Sequence, residues 1–154
     1  PLFLLEYATW MVREAGWEIE VLAGQDGPLR AAYEALGARI LVADAGPLYA
    51  APDEETFHGR LQDLAVRVDD WDRIDLVVCN TLVSFWGVLL ARRAGKPSLF
   101  YIHESTSVFR FFEPKLVLPL HRLVHEALGT ATRTLFLCEA TRRYYADFDR
   151  GNYR

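Results

Sequence analysis

Apolar runs and polar clusters alternate along residues 74–105, which read IDLVVCNTLVSFWGVLLARRAGKPSLFYIHES. A first apolar run ends at polar Asn80, a helical pattern covers residues 82–94, and a second apolar run over 98–102 is followed by His103. Short apolar runs on either side of an amphipathic helix predict two buried strands of a parallel sheet. A polar cluster thus stands at the carboxyl end of each predicted strand.

The same alternation of helix and strand patterns continues through most of the chain. Apolar residues at helical spacing predict helices over 2–15, 26–37 with Asp26 as N-cap, 57–71, 115–128 and 140–148. Further apolar runs predict strands at 18–22, 39–42 and 134–137, and residues 44–52 are expected to form a loop. Strands that alternate with helices form βαβ units with right-handed crossovers. The expected fold is α/β, a doubly wound, Rossmann-like parallel sheet flanked by helices.

Length and charge narrow the class of protein. The 154 residues suffice for one domain with a sizeable core, and residues 1–154 are expected to form a single domain. A formal net charge of -4 does not support a basic surface, so no nucleic-acid partner is expected. The longest apolar stretch, residues 82–91, is shorter than the roughly 20 residues that span a bilayer, and no leader pattern opens the chain. These features favour a cytoplasmic protein.

The cysteines and paired histidines do not predict a metal site. Cys79 and Cys138 lie far apart and match no zinc or redox spacing, so both are expected to be small buried hydrophobic residues in a reducing compartment. A disulfide between them is the alternative. His121 and His125 share a helix face but lack a third ligand, which favours a surface pair beside an ion pair of Arg122 with Glu126. No metal or cofactor is expected.

Polar residues at strand ends are the candidates for chemistry, because ligands of open parallel sheets bind beyond the carboxyl ends of the strands. His103 follows a predicted strand and is the candidate catalytic residue. Its imidazole can orient a hydroxyl or polarise a developing charge, and the neighbouring Glu104 can fix its tautomer. The alternative is a histidine that only caps local backbone.

The polar run after His103 is a candidate substrate-binding segment. The run of Glu104, Ser105, Thr106 and Ser107 can bind substrate hydroxyls, or it can cap the next helix. Arg110 stands among three phenylalanines, a combination that suits sugar stacking or a membrane edge. The alternative is that the phenylalanines pack beneath the next helix.

Two strand-to-helix junctions complete the set of candidate binding residues. Asn80 and Thr81 precede one predicted helix, where free N–H groups attract anions, and Glu139 precedes the last one. Each can bind a phosphate or a substrate group. The alternative is helix capping, which is expected for at least one of Asn80 and Thr81.

Three stretches in order resemble the N-terminal half of group-1 (family 4) glycosyltransferases of the GT-B fold. They read GWEIEVLAGQDGPLRAAYEALGARI, DLVVCNTLVSFWGVLLARRAGKPSLFYIHES and TLFLCEATRRYYADF. In that family the N-terminal Rossmann-like domain mostly binds the acceptor, and a second Rossmann-like domain holds the nucleotide-sugar donor. The resemblance implies that His103 faces the donor sugar across the cleft and that Glu139 also faces the cleft.

The chain departs from the family pattern at both ends. The donor domain and its signature are absent, so the chain is expected to be a fragment that is inactive alone. The family's first strand, central in its sheet, is also absent. We expect either that the flanking strands pair with each other, or that another chain fills the gap, or that upstream residues supply the strand.

The resulting hypothesis is a hexosyltransferase whose acceptor, a sugar or a lipid-linked sugar, lies along the strand-end residues and Arg110. A nucleotide-sugar donor would be held by the missing domain. Peripheral contact with the inner face of a membrane is expected near Arg110 and Lys115. Two alternatives are a non-catalytic α/β binding module and a GT-B sugar-nucleotide epimerase.

Overall fold

The computed structural model describes residues 2–68 and 70–154, which group into two compact units, one ending at Pro47 and one beginning at Leu48. The described strands form two parallel sheets, one in each unit. The α/β class with helices flanking parallel sheets is therefore confirmed. No helix in the described part of the chain combines the length and apolar character needed to cross a bilayer.

The first unit contains a two-stranded sheet. Its elements are helix α1 (Leu2–Ala15), strand β1 (Glu20–Ala23), helix α2 (Arg30–Glu34) and strand β2 (Arg39–Val42). The strands run parallel, with Val21 opposite Ile40. A small core around Ala8, Tyr33 and Ala38 joins the helices to the sheet. Helix α1 ends before Gly16, whose φ of 69° suits glycine, as the sequence predicts.

The second unit contains the three-stranded sheet that carries the candidate site. Helix α3 (Gly46–Tyr49) spans the boundary between the units. The elements after it are α4 (Glu54–Ala65), β3 (Val77–Asn80), α5 (Phe85–Arg93), β4 (Ser98–Ile102), α6 (Val108–Phe112), α7 (His121–Thr130), β5 (Arg133–Phe136) and α8 (Glu139–Tyr144). Short 3-10 turns cover Trp71–Arg73, Leu82–Ser84, Leu118–Leu120 and Ala146–Phe148. The strand order is β3-β4-β5, all parallel.

Helix α5 is held unusually close to the sheet. It contacts both β3 and β4, and seven of its nine residues are buried. A Cβ atom added at Gly87 would lie 2.7 Å from the Cys79 Sγ, so only glycine permits this approach. The burial of Cys79 confirms the prediction for that residue.

Several local predictions are corrected by the structure. The predicted loop over 44–52 contains helix α3, whose short Ala- and Pro-rich sequence gives too few turns to show a period. Helix α2 begins at Arg30 rather than near Asp26, whose carboxylate instead accepts a hydrogen bond from the Gly27 N–H at 2.8 Å. Helix α4 ends at Ala65, so Trp71 belongs to a separate turn.

Candidate functional site

The carboxyl ends of the three strands in the second unit lie in register at one edge of the sheet. Asn80, the last residue of β3, stands opposite Tyr101 on β4, and Ile102 stands opposite Phe136 on β5. Two backbone hydrogen bonds continue this alignment beyond the strands, from the Thr81 N–H to the Tyr101 carbonyl and from the Leu137 N–H to the Ile102 carbonyl. Residues that follow β3 and β4 are thereby brought together.

His103 is held from three sides at this edge. Its imidazole Nε2 lies 2.9 Å from the Asn80 Oδ1. Its backbone N–H donates to the Glu104 Oε2 at 3.1 Å. Its ring meets the Tyr101 ring edge-on, with the centroids 4.3 Å apart. The half-buried imidazole therefore has a fixed position, as a catalytic group requires.

The partner of the His103 ring differs from the predicted one. Glu104 was expected to fix the imidazole tautomer, but its Oε2 accepts from two backbone N–H groups, those of His103 and Leu82, each at 3.1 Å. Two hydrogen bonds to a charged acceptor are strong, so they hold the Glu104 carboxylate in this position. Asn80, 23 residues away in sequence, takes the ring contact instead.

Capping of the Leu82–Ser84 turn also differs from the prediction. Neither Asn80 nor Thr81 caps it: the Asn80 amide bonds His103, and Thr81 makes no capping hydrogen bond. The Leu82 N–H instead donates to the carboxylate of Glu104, which follows the neighbouring strand β4. This cross-strand cap joins the ends of β3 and β4 and leaves the Asn80 amide available to the imidazole.

Thr81 has a strained backbone at the point where the chain leaves β3. Its φ of 72° and ψ of 158° lie in a region that is occupied almost entirely by glycine. The Ser84 hydroxyl holds the turn by donating to the carbonyls of Asn80 and Thr81, at 3.0 and 2.8 Å. Such strain collects at functional sites, where the surrounding contacts impose it.

Replacement of Thr81 by glycine is expected to stabilise the protein. Relief of the backbone strain contributes about 1–3 kcal/mol, and the greater freedom of glycine in the unfolded chain removes about 0.5–1 kcal/mol of that gain. We expect a net increase near ~1 kcal/mol in the free energy of unfolding, measured by urea titration. Thr81→Ala is the control, since alanine keeps the Cβ; equal stabilisation by both variants would contradict the strain argument.

The loop after β4 is tied to helix α8. The Ser105 and Thr141 hydroxyls lie 2.6 Å apart, and the Tyr145 hydroxyl donates to the carbonyls of Glu104 and Thr106, at 3.1 and 2.5 Å. Burial raises the pKa of Tyr145, so its hydroxyl stays protonated and able to donate. Residues 104–106 are thus held as an ordered loop, with the Ser105 side chain partly exposed to solvent.

Three supporting residues of this site were not singled out from the sequence: Tyr101, Thr141 and Tyr145. Thr141 is fully buried and Tyr145 nearly so, although both stand in a helical pattern that reads as an ordinary amphipathic end segment. The available sequence signal was Thr141, a threonine at a core-facing position of a predicted helix. A buried hydroxyl needs a hydrogen-bond partner, so this position indicated a polar contact.

Glu139 lies apart from His103, whereas the Cys138 Sγ lies 3.4 Å from the Thr141 hydroxyl that also contacts Ser105. The Glu139 carboxylate pairs with Arg142 and Arg143 of its own helix, at 3.4 and 3.2 Å, and no contact joins it to His103 among the described residues. Cys138 is exposed, so its prediction as a buried residue is wrong. It stands at the N-cap of α8, beyond the end of β5, where the side chain faces solvent, and both cysteines are free.

The aromatic run at residues 109–112 divides between core and surface. Phe112 is fully buried against Phe85 and His121, so packing beneath the next helix is confirmed for this residue. Phe109 is 48% exposed, and the neighbouring Arg110 is also exposed. The Ser107 Oγ caps helix α6 by accepting from the Arg110 N–H at 3.3 Å, as the capping alternative predicts.

The histidine pair on α7 is not a surface pair. His121 is buried, with its Nε2 3.1 Å from the Leu116 carbonyl oxygen, because α7 turns this face into the core. His125 stacks on Phe148 at 4.1 Å. The predicted ion pair of Arg122 with Glu126 is confirmed at 3.8 Å. No group of three metal-ligating side chains is found in the described part of the chain.

Two surface grooves of the second unit lie away from the strand ends. One of about 390 Å³ runs between residues 49–52 and 113–117, and one of about 250 Å³ lies between α4, α5 and α7 beside His58 and Arg92. Neither is lined by His103, Asn80 or Glu104.

Comparison with known proteins identifies the family. The family model described as "Glycosyl transferase 4-like domain" matches residues 3–154, which is nearly the whole chain. No match is found among curated proteins. The parallel α/β sheets agree with this match, and the chain belongs to the glycosyltransferase 4-like domain family.

Proposed function

We propose that this domain is the acceptor-binding half of a GT-B hexosyltransferase. The acceptor, a sugar or a lipid-linked sugar, would bind along the strand ends and Arg110, and a second domain of the whole protein would hold the nucleotide-sugar donor. The observation that carries this proposal is the restrained imidazole of His103 at the carboxyl edge of the sheet, where ligands of such sheets bind.

The residues around His103 fall into two chemical roles in this proposal. His103 orients a sugar hydroxyl or polarises the charge that develops during transfer. Ser105, Thr106 and Arg110 provide the substrate contacts, with Arg110 exposed and without an ion-pair partner among the described residues. Asn80 and Glu104 are already engaged in hydrogen bonds within the site and act by holding it.

The position of the site at the carboxyl ends of the strands agrees with these roles. A transferase that works between two domains needs this surface exposed in each half and closed when the halves meet. The diphosphate and nucleotide contacts would come from the donor domain. The proposed transfer uses a nucleotide sugar as co-substrate, with no metal or further cofactor.

A nucleotide-release assay on the protein from the full reading frame tests the proposal. Uridine- and guanosine-diphosphate sugars are supplied with simple sugar and lipid-linked acceptors, and acceptor-dependent release of the nucleotide diphosphate is measured. The 154-residue chain alone is expected to show no release. Turnover by this chain alone would contradict the half-site proposal, and no release by the whole protein would favour a non-catalytic binding module.

We further propose that the domain works in the cytoplasm and contacts the inner face of a membrane through the segment from Phe109 to Leu118. Phe109, Val117 and Leu118 are 48%, 42% and 63% exposed, and Arg110 and Lys115 supply positive charge beside them. Exposed apolar side chains flanked by cations bind the boundary between headgroups and acyl chains of anionic lipids. A lipid-linked acceptor would then lie close to the site.

Loss of this surface is expected to release the protein from lipid. The double substitution Phe109→Ser with Leu118→Ser should lower co-sedimentation with vesicles that contain anionic lipid by at least about tenfold, because two buried apolar side chains contribute about 3 kcal/mol. Val66→Ser is the matched control, since Val66 is equally apolar and 72% exposed on another part of this unit. Equal loss in the control would contradict a specific membrane face.

A further inference from the structure

We infer that Asn80 is a positioning residue: it holds the His103 imidazole in the Nε2–H tautomer and leaves Nδ1 as a free hydrogen-bond acceptor. The effect on the structure of His103 is independent of the function of the protein. Its consequence for transfer rests on the proposed function.

The backbone of Asn80 is fixed before its side chain reaches His103. The residue ends β3 in register with Tyr101, and its carbonyl accepts from the Ser84 hydroxyl at 3.0 Å. Because both the strand and the following turn fix the Asn80 backbone, the side-chain amide has a defined position. Its Oδ1 lies 2.9 Å from the His103 Nε2. Both residues are half-buried, so the contact is partly shielded from water.

The chemistry of an amide oxygen determines the tautomer. A carbonyl oxygen only accepts hydrogen bonds, so the Nε2 that faces it must carry the proton. In the neutral ring Nδ1 then has a lone pair and no proton. The Glu104 carboxylate, the predicted partner of the ring, instead accepts from the backbone N–H groups of His103 and Leu82 at its Oε2.

An asparagine differs from a carboxylate in charge, because its amide is neutral. It orients the ring through one hydrogen bond and places no charge of its own on the ring nitrogen. The neutral ring keeps its acceptor at Nδ1 for a ligand. No other described residue forms a hydrogen bond with this nitrogen.

This arrangement selects the kind of ligand group that His103 can bind. A neutral imidazole that offers a lone pair at Nδ1 binds a hydrogen-bond donor, such as a sugar hydroxyl, and does not bind a phosphate or carboxylate oxygen. His103 therefore accepts a hydrogen bond from a hydroxyl of the sugar. Other groups bind the diphosphate.

Nitrogen-15 NMR of the His103 ring tests the inference directly. The spectrum is recorded at a pH where the ring is neutral, and the His103 signals are identified by their loss in His103→Gln. We expect a protonated Nε2, an unprotonated Nδ1, and a ring N–H proton that exchanges slowly with water. Asn80→Leu should remove the slow exchange and mix the tautomers, whereas Asn80→Asp, which keeps an acceptor, should retain Nε2–H.

Ser84→Ala separates this effect from loosening of the turn. The variant removes both hydrogen bonds of the Ser84 hydroxyl but keeps the amide, so the tautomer is expected to stay unchanged. A wild-type ring protonated at Nδ1, or an unchanged ring in Asn80→Leu, would overturn the inference. If Asn80→Leu does not fold, the wild-type and Asn80→Asp spectra still decide, since loss of Nε2–H in either one overturns it.

Activity of the whole protein separates the inference from the proposed function. Asn80→Leu should lower the rate of transfer by up to about 100-fold, as a misplaced catalytic group does. If the ring behaves as expected but the wild-type protein transfers no sugar, the proposed function fails and the role of Asn80 stands. If the wild-type protein is active but its ring does not depend on Asn80, the inference alone fails.

Discussion

Replacement of His103 by alanine is expected to lower the rate of sugar transfer by the whole protein by about 100- to 10,000-fold. The strand ends of β3 and β4 bring the imidazole into a fixed position, through Asn80, Glu104 and Tyr101. Alanine removes the group that would meet the sugar hydroxyl. The backbone clamp by Glu104 does not depend on the side chain and should persist.

The measurement is kcat and KM for nucleotide release in the transfer assay. The drop should fall mainly on kcat, because the lost interaction strengthens as charge develops in the transition state. His125→Ala is the matched control: this histidine stacks on Phe148, away from the strand ends, and should keep transfer activity. A His103→Ala protein that is folded by circular dichroism and fully active would contradict the catalytic assignment.

Replacement of Phe85 by alanine is expected to destabilise the protein by about 3–5 kcal/mol. Phe85 begins helix α5 and is fully buried. Its ring contacts those of Tyr49, Phe57 and Phe112, with centroids 6.3, 5.7 and 5.6 Å away. Alanine would leave a cavity among three aromatic rings. Because rigid helices hold these rings apart, the surrounding side chains cannot fill the cavity without a cost in free energy.

Urea-induced unfolding, followed by tryptophan fluorescence, measures this loss. Phe109→Ala is the control of identical chemistry, since Phe109 is 48% exposed and lies at the start of α6. Its effect should stay within about 0.5 kcal/mol. Similar midpoints for the two variants would show that the aromatic cluster contributes little to stability.

The architecture was largely predictable because its signals are local. Strands β2 and β4 begin and end at the predicted residues, 39–42 and 98–102, since each is a short apolar run between clear breaks. The break after α5 is equally clear: Gly95 has a φ of 67°, which glycine adopts without strain. Helix ends were less well placed, because a 3-10 turn and an α-helix share similar apolar spacing.

Exposure of single residues was harder to predict than the elements that carry them. His121 appears polar in sequence but is buried on the core face of α7, whereas Cys138 appears apolar but is exposed beyond the end of β5. Burial depends on which face of an element meets its neighbours. That choice is made by packing between elements distant in sequence.

The sequence by itself determined the class of fold and the edge at which the candidate site lies, because strand and helix periods and the polar residues that end each strand are local features. Only the tertiary structure decided how those residues pair. It assigned Asn80 to the His103 ring and Glu104 to two backbone N–H groups. Such choices follow from the register of β3 against β4, because it brings together polar groups that are more than 20 positions apart in sequence.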